Sequence, residues 1–385
     1  MIEGFDKIIN RHNTYSTQWD YAIDRFGRND VLPFSISDTD FAVPKEVQET
    51  LKKRIEHPIY GYTRWNHHDY KSAITNWYLK RFNQKFSEDI VAYTPSVVFA
   101  ISDFIKMHSS PGEAVATFIP MYDAFFNTIE SNNRLLVPVK LGDAYSHYKI
   151  DWDGLERVLC QKNVKIFLLT NPHNPTGKVF SASELEHIVS FCEQYNVFLI
   201  SDDIHQDIVY KPNKYTPVLK YAKKNVVLCS SGSKTFNTPG LIGAYILCPN
   251  KVDYEQYLID LKQKNALSSV SIFGMLSQIA EYKCEKYVDH LLPYLDKNMD
   301  TVEKFFTEKD LGLKFIKPQG TYLAWIDSSA LQLTEDELQH LLIDKGHVGI
   351  MKGSTYGDQN RLRMNIACPR SKVIEGLNRI EIALS

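Results

Sequence analysis

Lys165-Ile166-Phe167-Leu168-Leu169-Thr170, followed at once by Asn171-Pro172-His173-Asn174-Pro175-Thr176-Gly177, is the stretch from which the fold of this chain is read. The first six residues make an apolar run of strand length. Two prolines and a glycine then force a tight, irregular turn that can present an asparagine amide to a ligand. Apolar runs of the same kind, rich in β-branched residues, recur at 115–119, 135–139, 197–201, 226–230 and 244–248. Between them lie amphipathic segments. In 182–195, Leu185, Ile188, Val189 and Cys192 form a stripe at helical spacing, and Ser181 with Glu184 makes a capping box. Strands alternating with helices predict an α/β fold with a mainly parallel sheet covered by helices on both faces. Ligands of such sheets bind at the carboxyl ends of the strands, so the residues just after each run are the candidate site.

The chain has 385 residues, too many for one simple core. Its last third changes character: 254–307 reads as nearly all helical, and 314–316, 321–326, 348–351 and 361–367 read as a smaller α+β unit. The expected division is an N-terminal segment 1–48 joining the small domain, a large domain 49–287 and a small C-terminal domain 288–385. A net charge of -2 gives no reason to expect nucleic acid or an anionic membrane as partner. The start, Met1-Ile2-Glu3-Gly4, has no apolar leader pattern. No apolar run approaches the ~20 residues needed to span a bilayer. The six cysteines are scattered without a C-x-x-C pair, which fits reduced, buried thiols and a cytoplasmic location better than a metal site.

Four segments near strand ends carry unusual polar clusters. Besides the Asn171–Gly177 turn, Ser201-Asp202-Asp203-Ile204-His205 places acids at the end of a buried strand. There a carboxylate is costly without a cation or donor. A protonated pyridine nitrogen would suit Asp202, whereas capping of a following helix competes for Asp203. Ser231-Gly232-Ser233-Lys234 offers hydroxyls and free amides to a phosphate and an amine easily made nucleophilic. Thr94-Pro95-Ser96-Val97-Val98 opens an apolar helix whose N-terminus suits a phosphate. Asp38 and Asp40 either shape an entrance or form a turn. Tyr15, Trp19, Phe34 and Trp65 read as core or interface, and His67 and His68 as capping or exposed residues.

The order Asn-Pro-x-Asn-Pro-Thr-Gly, Asp-x-x-His, Ser-x-Ser-Lys and finally Arg361-Leu362-Arg363-Met364-Asn365 resembles the fold-type I pyridoxal-phosphate enzymes of the class I/II aminotransferase family. Asp38-Thr39-Asp40-Phe41, Tyr60-Gly61-Tyr62-Thr63-Arg64-Trp65 and Pro318-Gln319-Gly320-Thr321-Tyr322 resemble its cystathionine β-lyase subgroup, which includes a bacterial maltose-regulon modulator. The resemblance implies that Lys234 carries pyridoxal 5'-phosphate as a Schiff base and that Asp202 pairs with the pyridine nitrogen. It places Asn174 on the ring's 3-oxygen and Tyr122 on the ring face. The phosphate falls to the backbone around Val97 and Val98, to Ser231 and Ser233, and to Tyr62 from a second subunit of a homodimer. Arg363, with Tyr62, binds the substrate. Two positions depart from many aminotransferases: His205 replaces a tyrosine, and Ile242 stands near the place of a phosphate-binding arginine. Both lean toward the lyase subgroup, with His205 among the cofactor contacts.

The implied reaction is β-elimination. Lys234, freed by the substrate amine, takes the Cα proton, and a thiolate leaves Cβ of cystathionine or a related S-substituted cysteine. An aminotransferase using a 2-oxo acid would employ the same Lys234, Asp202 and Arg363. A partner-binding regulator that keeps the enzyme fold is the reading from another class.

Overall fold

In the computed structural model residues 4–385 are described. The expectation of a start without a leader rests partly on residues 1–3, which lie outside them. The centre is a seven-stranded sheet, in spatial order Val91–Thr94, Ala244–Leu247, Val226–Ser230, Phe198–Asp202, Val164–Thr170, Ala114–Ile119 and Leu135–Lys140. Only Ala244–Leu247 runs against its neighbours, pairing antiparallel with strands on both sides. The parallel strands Phe198–Asp202 and Val226–Ser230 are buried along their whole length, as expected when both faces are covered. All six runs expected as strands are strands, with no end displaced by more than one residue. Val91–Thr94 was not expected. Four residues running into Thr94-Pro95 are too short to declare a period.

The capping box of the helix Ala182–Gln194 is formed as expected. His67 caps the helix His68–Phe82 by accepting from the Tyr70 amide. The 254–307 stretch is helical in pieces: Lys251–Ile259, then Ile272–Glu281, then the long helix Glu285–Glu308. The last third holds a three-stranded antiparallel sheet, Met351–Lys352, Arg361–Asn365 and Leu323–Asp327. Residues 314–316 contribute only a bridge from Lys314 to Asp327. Leu32–Pro33 pairs in parallel with Val348–Gly349, which ties the N-terminal segment to this C-terminal unit. No helix among the described residues is long and apolar enough to cross a membrane.

Asp38 and Asp40 do more than form a turn. Arg11 bridges them, with nitrogens 2.6 and 2.8 Å from their carboxylates, and Lys372 reaches Asp40 at 2.6 Å. Trp65 and Phe34 are core residues, whereas Tyr15 stands 87% exposed in the single protomer and is not core. Of the cysteines, Cys160 is exposed and the other five are buried; all are free thiols.

Candidate active site

The sheet register brings the separated motifs together. Thr170 pairs with Asp202, and Asp202 with Cys229, so three parallel strands end level with one another. Their next residues, Asn171–Gly177, Asp203–His205 and Ser231–Lys234, therefore leave the sheet along one edge. The reversed strand begins at that edge, where Ala244 pairs with Thr94, just before Pro95 and Ser96. A cavity of about 380 Å³ lies there. Val97, Val98, Tyr122, Asn174, Asp202, His205, Ser231, Ser233 and Lys234 all line it, with Ser37, Pro95, Ser96, Thr170 and Ile242.

Two expected site residues lie outside that wall. Arg363 stands directly behind Asn174, its Nη1 donating to the Asn174 side-chain oxygen at 3.1 Å and its Nη2 to the Ser35 carbonyl at 3.0 Å. Its guanidinium stacks on the Tyr356 ring at 4.2 Å. Tyr62 is fully solvent-exposed in the single protomer and takes no part in the cavity.

The cavity is electrostatically incomplete. Asp202 is buried, and its one side-chain partner is the Ile204 amide at 3.1 Å. Burial pushes its carboxyl up to about 7, against the opposing pull of that amide and of Lys234. Lys234 is pushed below its ordinary value by burial, and its Nζ donates to the Ser37 carbonyl at 2.9 Å. His205 is driven down to about 3 by burial, then by Lys234 and Arg363, so its ring is neutral. Its Nδ1 has no partner, nor has Arg363 Nε or Ser37 Oγ. Among the described residues no carboxylate lies within ion-pair distance of Arg363, itself only 4% exposed. Buried polar groups without partners at one place mark a site built around something else.

These groups fit pyridoxal phosphate. Asp202 lacks a cation, which a pyridinium nitrogen provides. The Asn174 oxygen is held by Arg363, so its amide N–H groups remain to donate to a phenolic oxygen. Ser96 caps the helix Val97–His108 by accepting from the Phe99 amide, leaving the Val97 and Val98 amides at a helix N-terminus for a phosphate. Ser231 fits less simply. Its hydroxyl donates to the Gly243 carbonyl at 2.7 Å and accepts from the Ser233 amide at 3.1 Å, so it must rotate to donate elsewhere. Asp203 caps no helix, because none follows it. Ser201 and Tyr215 donate to its buried carboxylate instead.

Sequence reasoning missed three contributors. The Ser37 carbonyl is main chain, which no side-chain motif names. Tyr356 stacks on Arg363 from a segment without a motif. Glu281 lies beneath the lysine loop: a Cβ at Gly232 would sit 2.2 Å from its Oε2, which explains the glycine. Burial pushes Glu281 up to about 7, and Thr238 donates to it at 2.7 Å.

The family model for aminotransferase class I and II matches residues 29–380. Protein MalY of Escherichia coli is 39% identical over 97% of this chain and 96% of its own length. Cystathionine beta-lyase PatB of Bacillus subtilis is 33% identical, covering 99% of this chain and 100% of its own. A PLP-bound putative aminotransferase from Clostridium difficile superposes with a TM-score of 0.95 at 35% identity, over 99% of both chains.

Proposed function

The chain belongs to the aminotransferase class I and II family, and on that premise we propose that it is a pyridoxal-phosphate-dependent carbon–sulfur lyase. It cleaves cystathionine or a related S-substituted cysteine to a thiol, pyruvate and ammonia. The observation that carries this reading is the convergence of Lys234, Asp202 and Asn174 on one cavity with Arg363 behind them, where Asp202 is buried without a cation in hydrogen-bond reach and Arg363 Nε has no partner. The family's cofactor supplies the cation for Asp202 and its amino-acid substrate the carboxylate for Arg363, and a relative of nearly equal length bears the name of the lyase.

Pyridoxal phosphate, when bound, supplies an electron sink conjugated to the substrate nitrogen. Lys234 would hold it covalently, Asp202 and Asn174 would hold its ring, and Val97, Val98 and Ser233 its phosphate. Tyr122, at the start of the helix Asp123–Ser131, would cover the ring face. The rest is the work of the chain's own groups. Arg363, with no acidic partner, receives the substrate carboxylate and fixes Cα. The Lys234 amine, which burial shifts toward its neutral form, takes the proton from Cα. The electron pair left behind breaks the Cβ–S bond, and sulfur departs as the thiolate. Neutral His205 and the apolar Ile242 replace groups that many aminotransferases place there, which supports elimination over amine exchange.

A homodimer completes the reading. Tyr62 extends from a surface that also exposes Ile55, Ile59 and Tyr60, an apolar patch suited to a second copy with two-fold symmetry. Across that contact Tyr62 would reach the partner's phosphate and substrate. Five buried thiols suit a reducing cytoplasm.

The test is to incubate the purified, cofactor-loaded protein with cystathionine and short-chain S-substituted cysteines. Pyruvate and free thiol should appear in equal amounts. Failure to release pyruvate from every such substrate would overturn the lyase, and amine transfer without pyruvate would establish the aminotransferase instead.

A further inference from the structure

We propose that Tyr322 is a positioning residue for the Lys234 amine, acting through the main-chain carbonyl of Ser37. That oxygen accepts two hydrogen bonds, one from Lys234 Nζ at 2.9 Å and one from the Tyr322 hydroxyl at 3.0 Å. A carbonyl has two lone pairs, and here both are used. Tyr322 is fully buried, and its ring meets His205 edge to face at 5.8 Å between centroids.

The carbonyl is held in place independently of the lysine. Asn365 Nδ2 donates to the carbonyls on either side of it, Ile36 at 2.5 Å and Asp38 at 2.6 Å. Two residues further on, the Thr39 amide donates to the Asn237 side chain at 3.0 Å, within the lysine loop itself. The Asn365 and Asn237 side chains thus hold the peptides on either side, and Tyr322 completes the hold on the Ser37 oxygen itself. A neutral lysine that gives one N–H to a fixed acceptor keeps its lone pair pointed away from it, free for a substrate proton. The Tyr322 hydroxyl proton on the same oxygen also makes it a poorer acceptor for an ammonium, which favours the neutral amine. Burial of Lys234 works in the same direction.

The inference rests on reading Lys234 as the base, but its test needs no turnover. In cofactor-free protein, reductive methylation of Lys234 with formaldehyde is followed against pH by peptide mass spectrometry, because only the neutral amine reacts. Tyr322→Phe should raise the midpoint by about half a pH unit, a roughly threefold loss of neutral amine below it. Tyr210→Phe is the matched control. Its hydroxyl donates to the neighbouring Thr321 carbonyl at 2.7 Å in an equally buried setting outside the cavity. That variant should lose similar stability and leave the midpoint in place. A second probe, 3-fluorotyrosine at position 322, keeps the packing and strengthens the donor, and should lower the midpoint. An unmoved midpoint in both position-322 proteins, or an equal shift in Tyr210→Phe, overturns the assignment. In the loaded enzyme Tyr322→Phe should lower kcat several-fold with KM nearly unchanged. A lysine shift without lyase activity in the wild type would keep this inference and discard the lyase.

Discussion

Arg363 Nη1 donates to the Asn174 side-chain oxygen at 3.1 Å, joining a strand of the small antiparallel sheet to a turn 189 positions away that follows a strand of the large one. The bond orients both groups at once. It turns the Asn174 amide protons outward, and it holds the guanidinium over the Tyr356 ring, where Nε is left without a partner.

Arg363→Lys keeps the charge but loses the planar fork, the stacking and the hold on Asn174. We expect KM for an S-substituted cysteine to rise on the order of tenfold or more, with kcat also lowered because Asn174 is no longer oriented. Steady-state kinetics on the purified variant decide it. A fall in kcat with KM unchanged would mean that Arg363 does not hold the substrate carboxylate.

Lys234→Ala removes both the covalent attachment and the base. Turnover should drop by about three orders of magnitude or more. The variant should still bind pyridoxal phosphate reversibly, through Asp202, Asn174 and the amides of Val97 and Val98. Dialysis should therefore strip the cofactor from it and not from the native protein. Cofactor that stays bound through dialysis would place the attachment elsewhere.

If Tyr62 serves the neighbouring subunit, Tyr62→Ala and Lys234→Ala proteins are each nearly inactive, yet they complement when unfolded and refolded together. Half the dimers are then mixed, and each mixed dimer has one site with both residues intact, so about one site in four recovers. Activity that stays at the sum of the two inactive preparations would show that Tyr62 and Lys234 do not act across an interface.

The level strand ends explain how much of this was legible beforehand. Runs such as 165–170 and 226–230 declare themselves because both faces of their strands are covered, leaving no polar alternation to confuse with a helix. The side chains singled out after those runs, Asn174, His205, Ser231, Ser233 and Lys234, all line the one cavity. Asp203 was misjudged because its partners, Ser201 and Tyr215, depend on a turn where a helix was expected. The Ser37 carbonyl and Tyr356 escaped because a backbone oxygen and a stacked ring leave no motif. Tyr62 points into solvent in a lone protomer, so no reading of one chain fixes its neighbour.

The Arg11, Asp40 and Lys372 cluster is a structural prediction independent of catalysis. Asp40 is only 5% exposed; burial pushes its carboxyl up, but Lys372 and Arg11 together hold it below the ordinary 3.8. Asp40→Asn leaves two cations around a neutral amide and should cost about 3 kcal/mol. Denaturant melts at neutral pH measure it. Because the native value lies below the unfolded one, the contribution is present above about 3.8 and fades as the pH falls through it. A variant as stable as the native protein at pH 7 would make the cluster incidental.

Asp202 gives the opposite sign. Its folded value of about 7 lies above the ordinary 3.8, so the folded cofactor-free protein binds this proton more tightly than the unfolded chain. The cost of ionising it is absent below 3.8, grows as the pH rises toward 7, and is complete above that. Asp202→Asn, which cannot ionise, should therefore match the native cofactor-free protein at pH 4. At pH 8 it should be more stable by a margin of about 2–4 kcal/mol. Loading with pyridoxal phosphate should reverse the order, because the native carboxylate then gains its cation and the amide does not. Thermal melts at the two pH values, with and without cofactor, test both halves. A variant less stable than the native protein at pH 8 without cofactor would mean that Asp202 already has a partner within the chain.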